Sequence, residues 1–297
     1  MTMVYPLGVS CQFSYISCIL LTMFDSTTKA VLQNLRAGQP SPTMPVAFVG
    51  HGNPMNAIND SRFAHEWKRM ATLIPQPQTI ICMSAHWLTA GTYITAMQQP
   101  PTIHDMYGFP RKLYEIQYTA PGDPALATEL SALYEHIETD HQWGFDHGAW
   151  MVLMHMYPAM KIPVLQLSID MAASLEQLYE LTSLLKPLRD RGVLFLGSGN
   201  IVHNLERARL TDSESAYDWA LEFDAISANL IRDRNDQDLL HYQKLGSSAL
   251  LSIPTEDHYR PMLMTLALSS PRDTLTFFNE SIDVASVSMR SFLLSPR

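Results

Sequence analysis

The sequence predicts a single α/β domain with a mixed central β-sheet flanked by helices on both faces. Short apolar runs alternate with longer helical stretches along most of the chain, the element order of an α/β fold. The connections between them are short. Two apolar runs close the chain, and such a pair makes the sheet mixed rather than purely parallel. The 297 residues, 46% hydrophobic and 16% charged, suffice for a large core and do not have the composition of a disordered chain.

Residues 1–44 read apart from the rest. The stretch 7–24 is apolar but carries Ser10, Gln12, Ser14 and Ser17, with no basic residue before it. It therefore lacks the pattern of a secretory signal and is too polar for a membrane span. We read 1–44 as a poorly structured leader, or as an extension ahead of a start at Met23 or Met44, and 45–297 as the single folded domain.

A buried strand is predicted over 45–50, running into the turn His51-Gly52-Asn53-Pro54. A helix follows at 61–73, a second apolar strand at 78–84 ending in Ala85-His86-Trp87, and a third strand at 92–97. Residues 100–110 form a loop. Asp123-Pro124 supplies an N-cap and a first-turn proline for a helix to about 137. After the loop 143–148 come a buried helix at 149–157, a strand at 163–169, an amphipathic helix at 174–189 and a strand at 193–198. Helices are expected at 217–232, at 236–245 and from 254 to 268, with His258 in the first turn of the last. Strands at 275–278 and 287–293 complete the chain.

The net charge of −9 argues against a nucleic-acid binder, which needs a basic face, and weakly against an anionic membrane surface. Three cysteines, Cys11, Cys18 and Cys82, with no C-x-x-C, form neither a disulfide framework nor a zinc ribbon and fit a reducing, cytoplasmic setting. No P-loop, G-x-G-x-x-G or G-x-S-x-G pattern is present. Oligomeric state is not legible.

Eleven histidines are the unusual feature. His51, His86 and His203 each stand at or just past the end of an apolar strand, beside small residues. In open α/β sheets the crevice beyond the strand carboxyl ends is where ligands bind. Three histidines delivered there by separate strands, with His258 near a helix start, can share one site. His65, His136, His155 and His241 fall inside predicted helices and read as surface or core-edge residues, and His141 as a solvated loop residue. His104 and His147 lie beside Asp105 and Asp146 in loops, although sequence neighbours point different ways. Trp87, Trp143 and Trp150 read as core or pocket wall.

The ordered segments V-G-H-G-N-P-M (49–55), S-A-H-W (84–87), T-I-H-D (102–105), G-F-P (108–110), G-F-D-H-G-A-W (144–150), Q-L-S-I-D (166–170), G-S-G-N-I-V-H-N (197–204) and E-D-H-Y (256–259) resemble the class III extradiol ring-cleavage dioxygenases, in particular the 4,5-DOPA branch. The resemblance spans residues 45–292. It implies a single-domain α/β fold that opens a catechol ring with O2 on a non-haem Fe(II). It further implies His51, His86 and His258 as metal ligands, His203 as acid/base and His147 as a substrate contact. His104, Asn204 and Trp87 are expected at the substrate. Many members use two histidines and one glutamate on iron; here the third place matches a histidine, with Glu256 two residues away as the alternative. Three histidines also suit Zn(II), so a zinc hydrolase is the rival reading, and a non-catalytic binder on the same fold a second.

Overall fold

The computed structural model describes residues 41–209 and 215–297; the leader call on 1–44 lies mostly outside them. Met44 already belongs to the packed unit: it is buried, and its N–H donates to the Arg189 carbonyl at 2.9 Å. The fold therefore begins ahead of residue 45.

The strands are β1 (Val46–Gly50), β2 (Thr79–Ser84), β3 (Leu88–Thr89), β4 (Thr92–Thr95), β5 (Ile137–Asp140), β6 (Val164–Gln166), β7 (Ile169–Asp170), β8 (Val193–Gly199), β9 (Thr274–Phe278), β10 (Ile282–Asp283), β11 (Val287–Ser288) and β12 (Ser291–Ser295). The central sheet runs β6-β2-β8-β1-β12-β9. Its first four strands are parallel, and β12 and β9 add antiparallel at one edge, the mixed sheet the closing strand pair predicts. β1, β2 and β8 are buried along their whole length, which is why they read as unbroken apolar runs.

The α-helices are α1 (Arg62–Ala71), α2 (Arg111–Tyr114), α3 (Pro124–Leu133), α4 (His147–Met156), α5 (Leu175–Ser183), α6 (Asp218–Asp233), α7 (Asp236–Leu240), α8 (Ser247–Ser252) and α9 (Arg260–Ala267). Trp67 and Met70 of α1 and Trp150 and Leu153 of α4 join Ala47, Val49, Ile80, Cys82, Leu194 and Leu196 in the core on one face. α9 packs on β8 and β1, and against α5, on the other side. The strand residues alternate between these two faces, as the pleat requires.

Several expected elements are shorter. α3 stops at Leu133, where Tyr134 turns to an extended conformation. The chain then forms β5 beside β4, so His136 lies between elements and not in a helix. The expected strand 163–169 breaks after Gln166 because Ser168 leaves the sheet to exchange hydrogen bonds with Tyr93, its N–H donating at 2.8 Å and its Oγ accepting at 2.8 Å. The helix expected at 174–189 passes into a 3₁₀ turn over Lys186–Arg191. α4 starts earlier than expected, because Asp146 caps it by accepting from Ala149 N–H at 3.1 Å. α9 starts later, so His258 sits just ahead of the helix. The parallel arrangement puts the carboxyl ends of β1, β2 and β8 along one sheet edge. Among the described residues no helix is long and apolar enough to cross a membrane.

Candidate metal centre

The end of β8 organises this edge. His51 N–H donates to Gly199 O at 3.1 Å, Ala85 N–H to Ser198 O at 2.9 Å, and Asn200 N–H to His258 O at 2.9 Å. The Ser198 hydroxyl donates to Gly148 O at 2.6 Å. Four hydrogen bonds from three consecutive positions, 198 to 200, thus tie the backbones carrying His51, His86, His147 and His258 to one strand end. Glycine is required at 199 because a Cβ there would run into the His258 carbonyl. The G-S-G segment is therefore a close-packing device, which its sequence does not reveal.

The five histidines gather here. His51, His86 and His147 offer nitrogens that lie within 4.8 Å of one another, and the Nε2 atoms of His51 and His86 are 3.2 Å apart. The His258 ring stands 5.2 Å from that of His51 and 5.1 Å from that of His86, centroid to centroid. His203 stacks on His258 at 3.5 Å with an 8° interplanar angle. The expected set His51, His86, His258 and His203 is thus brought together, and His147 joins it, its ring 3.9 Å from that of His86 and 5.8 Å from that of His51.

Oxygen atoms hold one nitrogen of each of four rings. Ser198 has spent its only proton on Gly148, so it accepts from His51 Nδ1 at 3.0 Å, leaving the His51 Nε2 lone pair free. Asp257 Oδ2 faces His258 Nδ1 at 2.7 Å. Asp105 receives the His147 backbone N–H on Oδ1 at 2.8 Å and His147 Nδ1 on Oδ2 at 3.0 Å, with His86 Nδ1 3.4 Å from the same oxygen. Carboxylate or hydroxyl partners on the outer nitrogen fix tautomer and ring direction in metal-binding histidines. Asp105 and Asp257 are the functional residues that isolated histidine positions did not identify. Asp105 serves His147, 42 residues away, whereas Asp257 serves its immediate neighbour, so adjacency was the signal in one case and silent in the other.

Electrostatics favour a cation. Burial, then the charges of neighbouring histidines, holds His51 and His86 well below the ordinary imidazole value, and burial beside His258 lowers His203 to about 3. These rings stay neutral, with lone pairs available. Asp257 is held well below the carboxylate range, where hydrogen bonding and the His258 charge outweigh its burial. Glu256, the alternative third donor, receives Arg260 at 2.7 Å and the Tyr242 hydroxyl at 3.2 Å, so each of its oxygens already has a donor. The donor set fits a divalent ion.

A pH dependence follows. Unfolded histidines titrate near 6.5, so below that pH the unfolded chain takes up protons that folded His51, His86 and His203 refuse. Stability of the metal-free protein is then fully present above about pH 6.5 and falls as pH drops toward about 3, at roughly 1.4 kcal/mol per pH unit for each group. Urea midpoints of chelator-treated protein should fall between pH 7.5 and 5.5; an unchanged midpoint contradicts this.

The rings open into a cavity of about 580 Å³ whose walls include Met106, Tyr107, Phe109, Leu205, Asp283 and Val287. Three expected substrate residues lie elsewhere. His104 Nε2 bonds the Ile116 carbonyl at 3.0 Å. Trp87 is buried and stacks on Trp143 at 5.7 Å. Asn204 Nδ2 donates to Leu251 O at 2.8 Å. Each is turned into the fold by a local partner rather than toward the cavity.

Residues 42–287 match the family described as the catalytic LigB subunit of aromatic ring-opening dioxygenase. The chain is 41% identical over 257 residues to a protein of Escherichia coli K12 named 4,5-DOPA dioxygenase extradiol, covering 84% of this chain and 94% of the relative. A protein of the same name from Beta vulgaris is 32% identical over 254 residues, covering 82% and 94%. A crystal structure of an uncharacterized protein from Escherichia coli K12 aligns with a TM-score of 0.73 at 37% identity, over 85% of this chain and 100% of that one.

Proposed function

This chain belongs to the class III extradiol dioxygenases, and from that premise we propose that it uses Fe(II) and O2 to open a catechol ring beside its hydroxyls, with 45–297 as the catalytic domain. The observation that carries the proposal is the convergence of imidazoles, four of them with one nitrogen held from behind, on a cavity of substrate size. His51, His86 and His258 would hold the ion. Bound Fe(II) would supply electron transfer between the aromatic diol and O2, which Zn(II) cannot supply even though three imidazoles suit it in isolated protein.

His203 is the base in this reading. Its ring lies in the cavity wall and is kept in the neutral, proton-accepting form by burial. Protonation is supported by the nearby negative charge of Asp257, which pulls its pKa up against burial, and an anionic catecholate would pull in the same direction. His203 thus takes a hydroxyl proton as the diol binds and can return it to the product. His147, fixed through two atoms by Asp105, contacts the ring or its oxygen substituents. Met106, Phe109 and Val287 offer flat apolar contact and exclude water. The buried free thiol of Cys82 suits a reducing, cytoplasmic setting.

Anaerobic reconstitution with Fe(II), followed by air and a catechol such as L-DOPA, should give oxygen uptake and a yellow ring-opened product. No uptake with any catechol, or turnover with Zn(II) alone and without O2, would overturn the proposal.

A further inference from the structure

Among the described residues the cavity wall contains one carboxylate and no lysine or arginine. That carboxylate is Asp283, and the surfaces around it are Tyr107, Phe109, Leu205, Val284 and Val287. Among the described residues its side chain makes no hydrogen bond or ion pair. We infer that Asp283 selects catechols whose side chain carries a protonated amine, a specificity that rests on the ring-cleavage reading and narrows it.

The position of Asp283 follows from strand register. β10 and β11 form an antiparallel hairpin in which Asp283 lies opposite Val287. Val287 in turn bridges to His203 on the segment leaving β8. Residues directly opposite one another share a face of the ribbon, so Asp283, Val287 and His203 present their side chains to the same cavity, in that order, and all three line it. Two cross-strand steps separate the carboxylate from the base, roughly 10 Å between the outer Cα atoms. That span fits an aromatic ring lying across Val287 with a short side chain continuing to Asp283.

The hairpin is fixed in place. Ser288 N–H donates to Val202 O at 2.9 Å, Asn204 N–H to Ser286 O at 3.2 Å and Asn200 Nδ2 to Ser288 O at 2.8 Å. Its turn holds Val284 at φ 43° and Ala285 at φ 66°, left-handed conformations that are costly for a β-branched residue. Arg209 N–H to Val284 O at 2.9 Å and Tyr217 N–H to Ala285 O at 3.0 Å pin that turn from outside. The carboxylate therefore stands preorganised, and apolar surroundings strengthen its attraction for a cation relative to water. A catechol bearing a carboxylate meets the same group as a repulsion, with no lysine or arginine among the described residues of the wall to offset it.

The test uses the full chain loaded with Zn(II) under argon, so that binding is read without turnover. Calorimetric titration should show dopamine binding roughly 10-fold or more tightly than 4-methylcatechol, with 3,4-dihydroxyphenylacetate weakest. Asp283→Asn should bring the dopamine to 4-methylcatechol ratio close to one, and Asp283→Glu should retain a preference for the amine. Equal affinities in the unsubstituted chain, or a preference that persists in Asp283→Asn, would overturn the inference. Oxygen uptake by the Fe(II) form with 4-methylcatechol separates the two claims. Ring opening without amine preference refutes the role of Asp283 alone, while no ring opening with any catechol refutes the reaction itself.

Discussion

His203→Ala is expected to retain metal and lose roughly 10²- to 10⁴-fold in turnover of a catechol, the range over which a positioned proton-transfer group acts. Retention follows from the architecture. His51, His86 and His258 each hang from β8 or are oriented by Ser198, Asp105 or Asp257, and none of those bonds passes through the His203 ring. His203 arrives by its own route, its N–H donating to Ser252 O at 2.9 Å. Its ring touches the cluster by stacking on His258, a contact that alanine removes without disturbing the Asp257 bond. Metal content by elemental analysis and the pH profile of kcat/KM separate the two roles. A base leaves metal stoichiometry unchanged, and its loss removes the acidic limb of the profile. If His203→Ala empties the site, the ring is a ligand or a structural prop and the acid/base assignment fails.

The parts of the site legible in the sequence share one cause. A strand buried on both faces must read as an apolar run, so its end is visible as the point where polar residues resume. His51 and His86 stand there, and the crevice beyond parallel strand ends is a general ligand position. His203 follows β8 and was visible for the same reason. Less visible were features that depend on which loop crosses which. Asp105 orients His147 because the loop after Pro100 lies across the start of α4, a relation between residues with no shared periodicity. His104, its neighbour, is drawn the opposite way to the Ile116 carbonyl. Trp87 suggested a wall for a flat ring, yet an aromatic residue finds a stacking partner wherever one is offered, and Trp143 offers it inside the fold. Asp283 gave no sequence signal at all, because its importance comes from the pairing of β10 with β11 and of β11 with the His203 segment.

Replacing His258 by alanine is expected to weaken metal binding more than the roughly 10- to 100-fold that loss of an outer partner costs, while His147→Ala retains the ion. The geometry makes this the decisive pair. His51 and His86 belong to any set, since their Nε2 atoms meet at 3.2 Å, but both His147 and His258 stand ready as the third donor. His147 shares Asp105 with His86, so one carboxylate serves two rings at 3.0 and 3.4 Å. His258 meets Asp257 at 2.7 Å, the shortest of these pairs, the arrangement that makes an imidazole a better donor to a cation. His258 is also the ring nearest the base, so assigning it the third place puts the proton acceptor beside the ion and leaves His147 for the substrate. Competitive titration with a chelating dye gives both affinities on one scale. A His147→Ala protein that loses metal while His258→Ala retains it would exchange the two roles, and would make the stacked pair His203 and His258, rather than His203 alone, the proton-handling side of the cavity.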